Sequence, residues 1–492
     1  VTFGCFKDRE PIVTAGNPFS RFGRRLALLV ICLSFGGCAI QQQSRQASFD
    51  GAYVGGDYQQ AAKLASGYGG NNTAKGESGS LLWSLQQATA LQNAGDYAGS
   101  IRQFDATEAW FKRFDLEADY QQWLNQVGAV LSNDAALDYR GTVYDAIMVN
   151  TYKALDFLAL GNDDDARVEL NRARDRQRRA GDFFAKEIQA EQSALYDKEN
   201  STENVDVGGA VLRAQQLVAN QDNYLDAWRL YPDFINPFAT WLDGLFLMTV
   251  GPAPGDLNQA ADALKATAGM VPKNAVVRQD HDWAEQLASG TLSRSQLPDT
   301  VWVLFENGLG PVKRQVQVGL PIVIGDRHGY TAWAGFAYPK LVYRRKAAQA
   351  LRVSLGADDW QDTTVLSNMD AVVSTEFAKR LPGVVTRAVI SSITKAVLEY
   401  QLSRKAGPLA GLLGFAYQVT TLGADTRIWS SLPKSIELAK LERNGANRLQ
   451  LSWSGGPPTT VQLPASHFVL VWVRLPEAAA KPAITVIPLG SH

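Results

Sequence analysis

Few residues of this chain stand where side-chain chemistry would need them. Its histidines are His281, His328, His467 and the terminal His492, and its cysteines are Cys5, Cys32 and Cys38. No Cys or His pair has metal-ligand spacing, and there is no Gly-x-Ser-x-Gly, phosphate loop with Lys or dinucleotide fingerprint. Asp326-Arg327-His328, set in a Gly-flanked turn, brings an acid, a cation and an imidazole together. With Asp425 it is the nearest approach to a general acid–base set. A solvated surface turn has the same composition and needs no chemical role. Gly308-Leu309-Gly310 is too short a glycine pattern to cradle a phosphate by itself.

Cys38 differs because of what precedes it. Arg21, Arg24 and Arg25 are followed by an uncharged run, Leu26 to Gly37, that ends in the small pair Gly36-Gly37. That is the order of a basic n-region, a short apolar h-region and a small-residue cut site. A spanning helix needs about 20 apolar residues, more than this run supplies. The segment resembles the lipobox of bacterial lipoproteins, with Phe35 standing where Leu is usual. The resemblance implies a signal peptide over 1–37, acylation of Cys38, and an anchor and tether over 38–48. The first Met is Met148, so Val1 or Val13 is expected to serve as an alternative start, and 1–20 stay outside fold reasoning.

Removing 1–37, with five Lys/Arg and two Asp/Glu, leaves 455 residues carrying 43 positive and 47 negative side chains. A net charge near −4 gives no global pull toward nucleic acid, and no nucleic-acid partner is expected. Cys38 is then the only cysteine, so packing rather than disulfides must hold the body together. At 46% hydrophobic residues the chain can do so, with room for two or three domains. The polar tether Gln41 to Ser48 spans only ~15 Å if flexible, which would keep the body close to a bilayer.

Residues 49–290 read as helical. Four turns share Gly followed by Asp or Asn: Gly56-Asp57, Gly95-Asp96, Gly161-Asn162 and Gly255-Asp256. Each predicts an αα-hairpin, with Gly ending one helix in a left-handed turn and the acid or amide capping the next. Leu160-Gly161, Leu91 with Gly95 and Tyr97, and the closing Pro272 resemble the tetratricopeptide repeat, although the turn spacings are irregular. A plain helical bundle accounts for the same pattern. The charge-dense stretch Arg167 to Arg179 reads as a solvated face with ion pairs at helical spacing. Trp228, Tyr231, Phe234, Phe238, Trp241 and Phe246 read as helix core.

From about Asp299 to His492 the period becomes strand-like. Val301–Phe305, Val312–Ile324, Leu351–Leu355, Ile436–Leu441, Leu449–Trp453, Thr459–Leu463, Phe468–Leu475 and Ala483–Pro488 predict a small, mostly antiparallel β domain. Gly455 to Pro458 marks a hairpin break. A helical insertion, 370–425, interrupts the set. Phe377, Leu381, Val384, Ala388 and Ile393 recur near the helical period beside Lys379, Arg380, Arg387 and Lys395, and Pro382 would start or kink the helix. An uncharged, Gly-rich stretch, Ala406 to Ala424, follows. This is the pattern of a helix contacting a membrane surface or a partner, and equally of one packed on a sheet face.

Glu306-Asn307-Gly308-Leu309-Gly310-Pro311, Met369-Asp370-Ala371, Glu376-Phe377, Arg380-Leu381-Pro382, Ala424-Asp425-Thr426-Arg427, Trp429 with Leu432-Pro433, and Tyr152 to Arg172 together resemble an uncharacterised family of bacterial lipoproteins. The resemblance implies a periplasmic, outer-membrane-linked lipoprotein with tetratricopeptide-like helices, no family active site and no cofactor. Ala39 after the Cys, rather than Asp, is similar to lipoproteins sorted to the outer membrane. The expectation is therefore an α+β chain acting as a non-enzymatic scaffold for other envelope lipoproteins or cell-wall proteins. Its alternatives are regulation of a peptidoglycan synthase through the helical surface and a periplasmic enzyme.

Overall fold

The computed structural model describes residues 43–69, 80–114, 139, 141–201, 205–222, 225, 231–232, 235–253, 255–324, 330–356, 359–406 and 423–490. The described chain opens with helices. They are α1 (43–54), α2 (Tyr58–Gly67), α3 (Ser80–Asn93), α4 (Tyr97–Phe114), α5 (Val143–Ala159), α6 (Asp163–Ser201), α7 (Val207–Gln221), α8 (Pro237–Thr249), α9 (Asp256–Met270) and α10 (Ala275–Ala288). The segment expected to be a tether is helical from residue 43. The reason is burial: Phe49 stacks on Tyr53 and edges onto Trp83, so α1 is folded into the body.

Three of the four predicted turns have the expected chemistry. Gly56, Gly95 and Gly161 have φ of 76°, 83° and 72°. After them, Asp57, Asp96 and Asn162 accept the N–H groups of Gln60, Gly99 and Asp165. The fourth differs. Gly255 is right-handed at φ −77°, and the Asp256 carboxylate turns back to Ala253 and takes both Arg167 nitrogens at 2.8 and 2.5 Å. The charged face of α6 is accordingly not only solvated. Besides its internal pairs it reaches Asp256 through Arg167, the buried Asp243 through Arg174, and the buried Glu108 through Arg172.

The mixed half carries β1 (Thr300–Asn307), β2 (Val312–Ile324), β3 (Tyr330–Val342), β4 (Arg352–Ser354), β5 (Gln361–Asp362), β6 (Thr364–Asn368), α11 (Met369–Ala406), β7 (Ser435–Glu442), β8 (Arg448–Ser452), β9 (Thr459–Gln462), β10 (Phe468–Leu475) and β11 (Ala483–Leu489). One sheet has the order β11-β10-β1-β7-β6, in which β1 and β10 are parallel and the other neighbours antiparallel. A second, antiparallel sheet has the order β5-β4-β8-β9. Alternation along β1 decides the layering. Trp302 and Leu304 join a core shared with α3 to α11, whereas Val301, Val303 and Phe305 pack with Val353, Leu449 and Leu451 of the second sheet. The five-stranded sheet is thus covered on both faces, which is why its strands read as unbroken apolar runs.

β2 and β3 form a ribbon of their own, paired from Val312–Val342 to Ile324–Tyr330. Their neighbours are α11 and α7. Ser392 donates to the Gly335 carbonyl at 2.5 Å, Tyr343 and Ser374 share a hydrogen bond at 2.7 Å, and Gln215 donates to Thr386 at 3.0 Å. Pro382 lies inside α11 instead of starting it.

Candidate functional site

The Glu-Asn-Gly-Leu-Gly-Pro stretch closes β1, and strand alternation sends its first two side chains to opposite faces of the sheet. Glu306 is the register partner of Arg474, at the carboxyl ends of the parallel pair β1 and β10. In open α/β sheets that is a usual place for ligands. Here it is filled by the protein. Arg474 donates to the carbonyls of Glu306, Gly308 and Ser431 at 3.1, 2.6 and 3.0 Å, and its Nε is 3.5 Å from Glu306 Oε2. The guanidinium lies over the Tyr53 ring of α1 at 5.7 Å. Burial pushes the Glu306 carboxyl up to about 7 even with the Arg474 charge beside it. Both side chains are 1% exposed, so no substrate reaches them.

On the opposite face Asn307 is fully satisfied. Its Nδ2 donates to the Ala348 carbonyl at 2.7 Å and to Glu437 Oε1 at 3.0 Å, and its Oδ1 accepts from the N–H groups of Ala347 and Ala348. Glu437 also takes Lys346 at 2.8 Å, Thr363 at 2.9 Å and Ser435 at 3.0 Å. Gly308 has φ +66°, and a Cβ there would stand 2.9 Å from the Arg345 carbonyl. The Gly310 N–H reaches the Leu432 carbonyl and its own carbonyl accepts Arg344. This arrangement is a joint. It locks the start of the β2–β3 ribbon to residues 344–348 and 430–433.

Of the residues with chemical potential, Cys38, Asp326, His328 and His492 lie outside the described residues. Asp425 is held by Arg427 at 2.7 and 3.0 Å. Burial raises its carboxyl, but the guanidinium prevails and holds it below the usual range. His467 stands 2.6 Å from Asp299 and 3.0 Å from the Arg294 carbonyl, and His281 pairs with Glu285. Each group has its own partners, and the described residues assemble none of them into a shared site. Among the described residues no group of three or more His, Cys, Asp or Glu is placed to hold a metal ion.

The α11 residues divide by face. Phe377, Leu381, Ile393 and Lys395 are buried; Val384, Ala388, Lys379, Arg380 and Arg387 are half-buried. Arg380 reaches Glu376 at 3.0 Å and covers the Phe184 ring. Glu376 accepts the N–H groups of Val143 and Tyr144 at 3.0 Å each, putting a carboxylate at the positive end of the α5 dipole. By length and composition α11 is able to cross a bilayer, and half of its most apolar stretch is buried against the protein.

Sequence reasoning passed over three buried charges that organise the fold. Besides Arg474, Lys440 on β7 donates to Asp280 at 2.8 Å, and the same carboxylate accepts Trp241 and Trp302. Lys153 on α5 sits between Asp105, Glu108 and Glu169 at 2.7 to 3.0 Å. A signal was available for one of them: Arg474 is the single charge in the otherwise apolar β10, which demands a buried counter-charge. No family model, curated protein or solved structure matches this chain.

Proposed function

We propose that this chain is a lipid-anchored periplasmic scaffold of the outer membrane whose helical layer docks partner envelope proteins. The observation that carries this reading is the placement of α1. If Cys38 bears the lipid, only residues 39–42 separate it from a helix already folded into the body, where Gln46 and Asp50 both bond Ser430. Such an anchor would press the body against the bilayer and leave α2 to α10 to face partners. The left-handed turns at Gly56, Gly95 and Gly161 support a tetratricopeptide-like reading of that layer, in which paired helices present an extended surface.

The test is mass spectrometry of the processed amino-terminal peptide from native membranes, followed by cross-linking in detergent-solubilised envelopes. The expected result is a thioether-linked lipid on Cys38 and co-purifying envelope lipoproteins. An unmodified thiol would remove the anchor, and an anchored protein cross-linking only to itself would remove the scaffold.

A further inference from the structure

The charges of this chain balance overall, 48 Lys/Arg against 49 Asp/Glu, but not in the stretch that the joint holds. Residues 307–357 contain eight Lys/Arg and a single acid, Asp326. At ordinary usage a stretch of that length carries ~6 charges of each sign. Strand register gathers six of the eight cations at one end of the ribbon. β2 and β3 close at Val312–Val342, so Lys313, Arg314 and Lys340 lie near the ribbon end from which Arg344, Arg345 and Lys346 follow. Arg314 is the direct register partner of Lys340. Like charges directly opposite destabilise a strand pair, so folding does not ask for this one.

Counter-charges reach only some of these cations. Lys340 takes Asp222 at 2.8 Å and Lys346 takes Glu437 at 2.8 Å, while Lys313 and Arg344 feel the carboxylates of Asp425 and Asp50. Arg314 and Arg345 are exposed, and among the described residues no carboxylate pairs with either. The exposed cations of α6 are treated differently: Arg178 and Arg179 both lie on Asp175. A basic surface meant only for water mixes in acids of that kind. The support is also fixed, because Asn307 holds the N–H groups of Ala347 and Ala348 just after Lys346. This end of the ribbon also meets the amino-terminal helix. Arg344 donates to the Ser430 carbonyl, while Gln46 and Asp50 of α1 bond the Ser430 hydroxyl. Residues 39–42 span at most ~14 Å, so a lipid on Cys38 would bring a bilayer close to this end of the body.

We propose that this basic end is a second contact with the membrane, binding the anionic headgroups of the phospholipids around the anchor. The inference rests on the membrane-anchored reading above. A lipid by itself sets the distance of the body from the bilayer and leaves it free to swivel about the tether. Each Lys or Arg close to an anionic bilayer strengthens binding about five-fold, and its pull fades over a Debye length of ~8 Å. Arg314 and Arg345 supply that pull without an acid to cancel it. The joint passes the resulting orientation to the whole molecule, so the same face is always turned to the bilayer.

The experiment takes the full mature chain carrying Cys38→Ser, which has no acylation site, and measures its partition onto vesicles by sedimentation. On phosphatidylethanolamine with phosphatidylglycerol, binding is expected that weakens as salt is raised; on phosphatidylcholine alone, none. Arg314→Gln and Arg345→Gln should each weaken it about five-fold and together about 30-fold. Lys265→Gln, at an exposed position of α9, should leave it unchanged. Urea unfolding of the double variant should match that of its parent, which separates lost binding from lost fold. No binding to the anionic vesicles, or equal partition onto neutral and anionic ones, overturns the proposal. So does a loss with Lys265→Gln as large as with either arginine variant. The anchor is tested apart, by flotation of the lipidated wild-type chain on phosphatidylcholine. Failure to float there counts against the anchor alone, and the Cys38→Ser partition still decides the basic end.

Discussion

Asn307 concentrates the reason why the Glu-Asn-Gly-Leu-Gly-Pro stretch has its composition. One amide satisfies two backbone N–H groups, a carbonyl and the Glu437 carboxylate, all buried. Asn307→Ala should therefore cost about 3 kcal/mol in urea unfolding, because the partners stay buried without replacements. A loss no larger than that of a surface substitution would refute the joint. Gly308→Ala adds a second check at the same turn: φ +66° and the Arg345 carbonyl together predict a cost of roughly 2 kcal/mol or more. The buried acids set the pH response. Burial pushes Glu306 and Asp145 up to about 7 and Asp243 up to about 6. A carboxyl with a raised folded pKa holds its proton more tightly when folded. Its contribution is therefore fully present below its ordinary pKa and is lost as pH rises through the folded value. Stability from these three groups should thus decline between about pH 4 and pH 7 and level off above. Glu306→Gln, compared with wild type by urea unfolding at both ends of that window, should lose less over the rise; equal losses would sink the assignment.

At the scale of elements, α11 is joined to the helical layer by chemistry at helix ends. Glu376 caps α5, and around the start of α11 two further helix N-termini take part. The N-cap Asn236 of α8 accepts from Ser367, and the N-cap Asn274 of α10 donates to the Val365 carbonyl at 3.0 Å. The second contact also occupies the open edge of β6, as edge strands require. Glu376→Ala should free the first turn of α5 and cost about 1–2 kcal/mol. Hydrogen exchange would show this as faster exchange at Val143 and Tyr144, and unchanged protection there would refute the cap. Elements with regular periods were legible from sequence: the strands β1, β2, β4, β7, β8, β9, β10 and β11, the inserted helix, and three glycine turns. β3 was not, because its Ala, Gly and Pro residues blur the two-residue alternation. The 43–48 stretch, polar in composition, became helical because Phe49 and Tyr53 beyond it carry α1 into the core.

For the whole molecule, the main apolar core is continuous from Leu81 of α3 through Trp302 and Leu304 of β1 to Ile487 of β11. The helical and mixed halves each bury apolar surface that the other supplies. A fragment restricted to 49–290 should therefore fail to fold, as seen by circular dichroism and rapid proteolysis. The full body should unfold in one cooperative step. A well-folded fragment with native helicity would show that the halves are independent.

Periodicity and glycine chemistry were properties of short stretches, because the preference of a side chain for water or protein, and of a backbone for its φ, acts locally. On those grounds the chain by itself determined an α+β composition, the run of strands and the long inserted helix. Folding in three dimensions alone decided that Thr300 lies beside Phe468 in a parallel pair, that Glu306 and Asn307 serve opposite faces, and that α11 rests on the ribbon. Such pairings depend on closing long loops and on mutual shape, and both belong to the assembled core rather than to any local pattern.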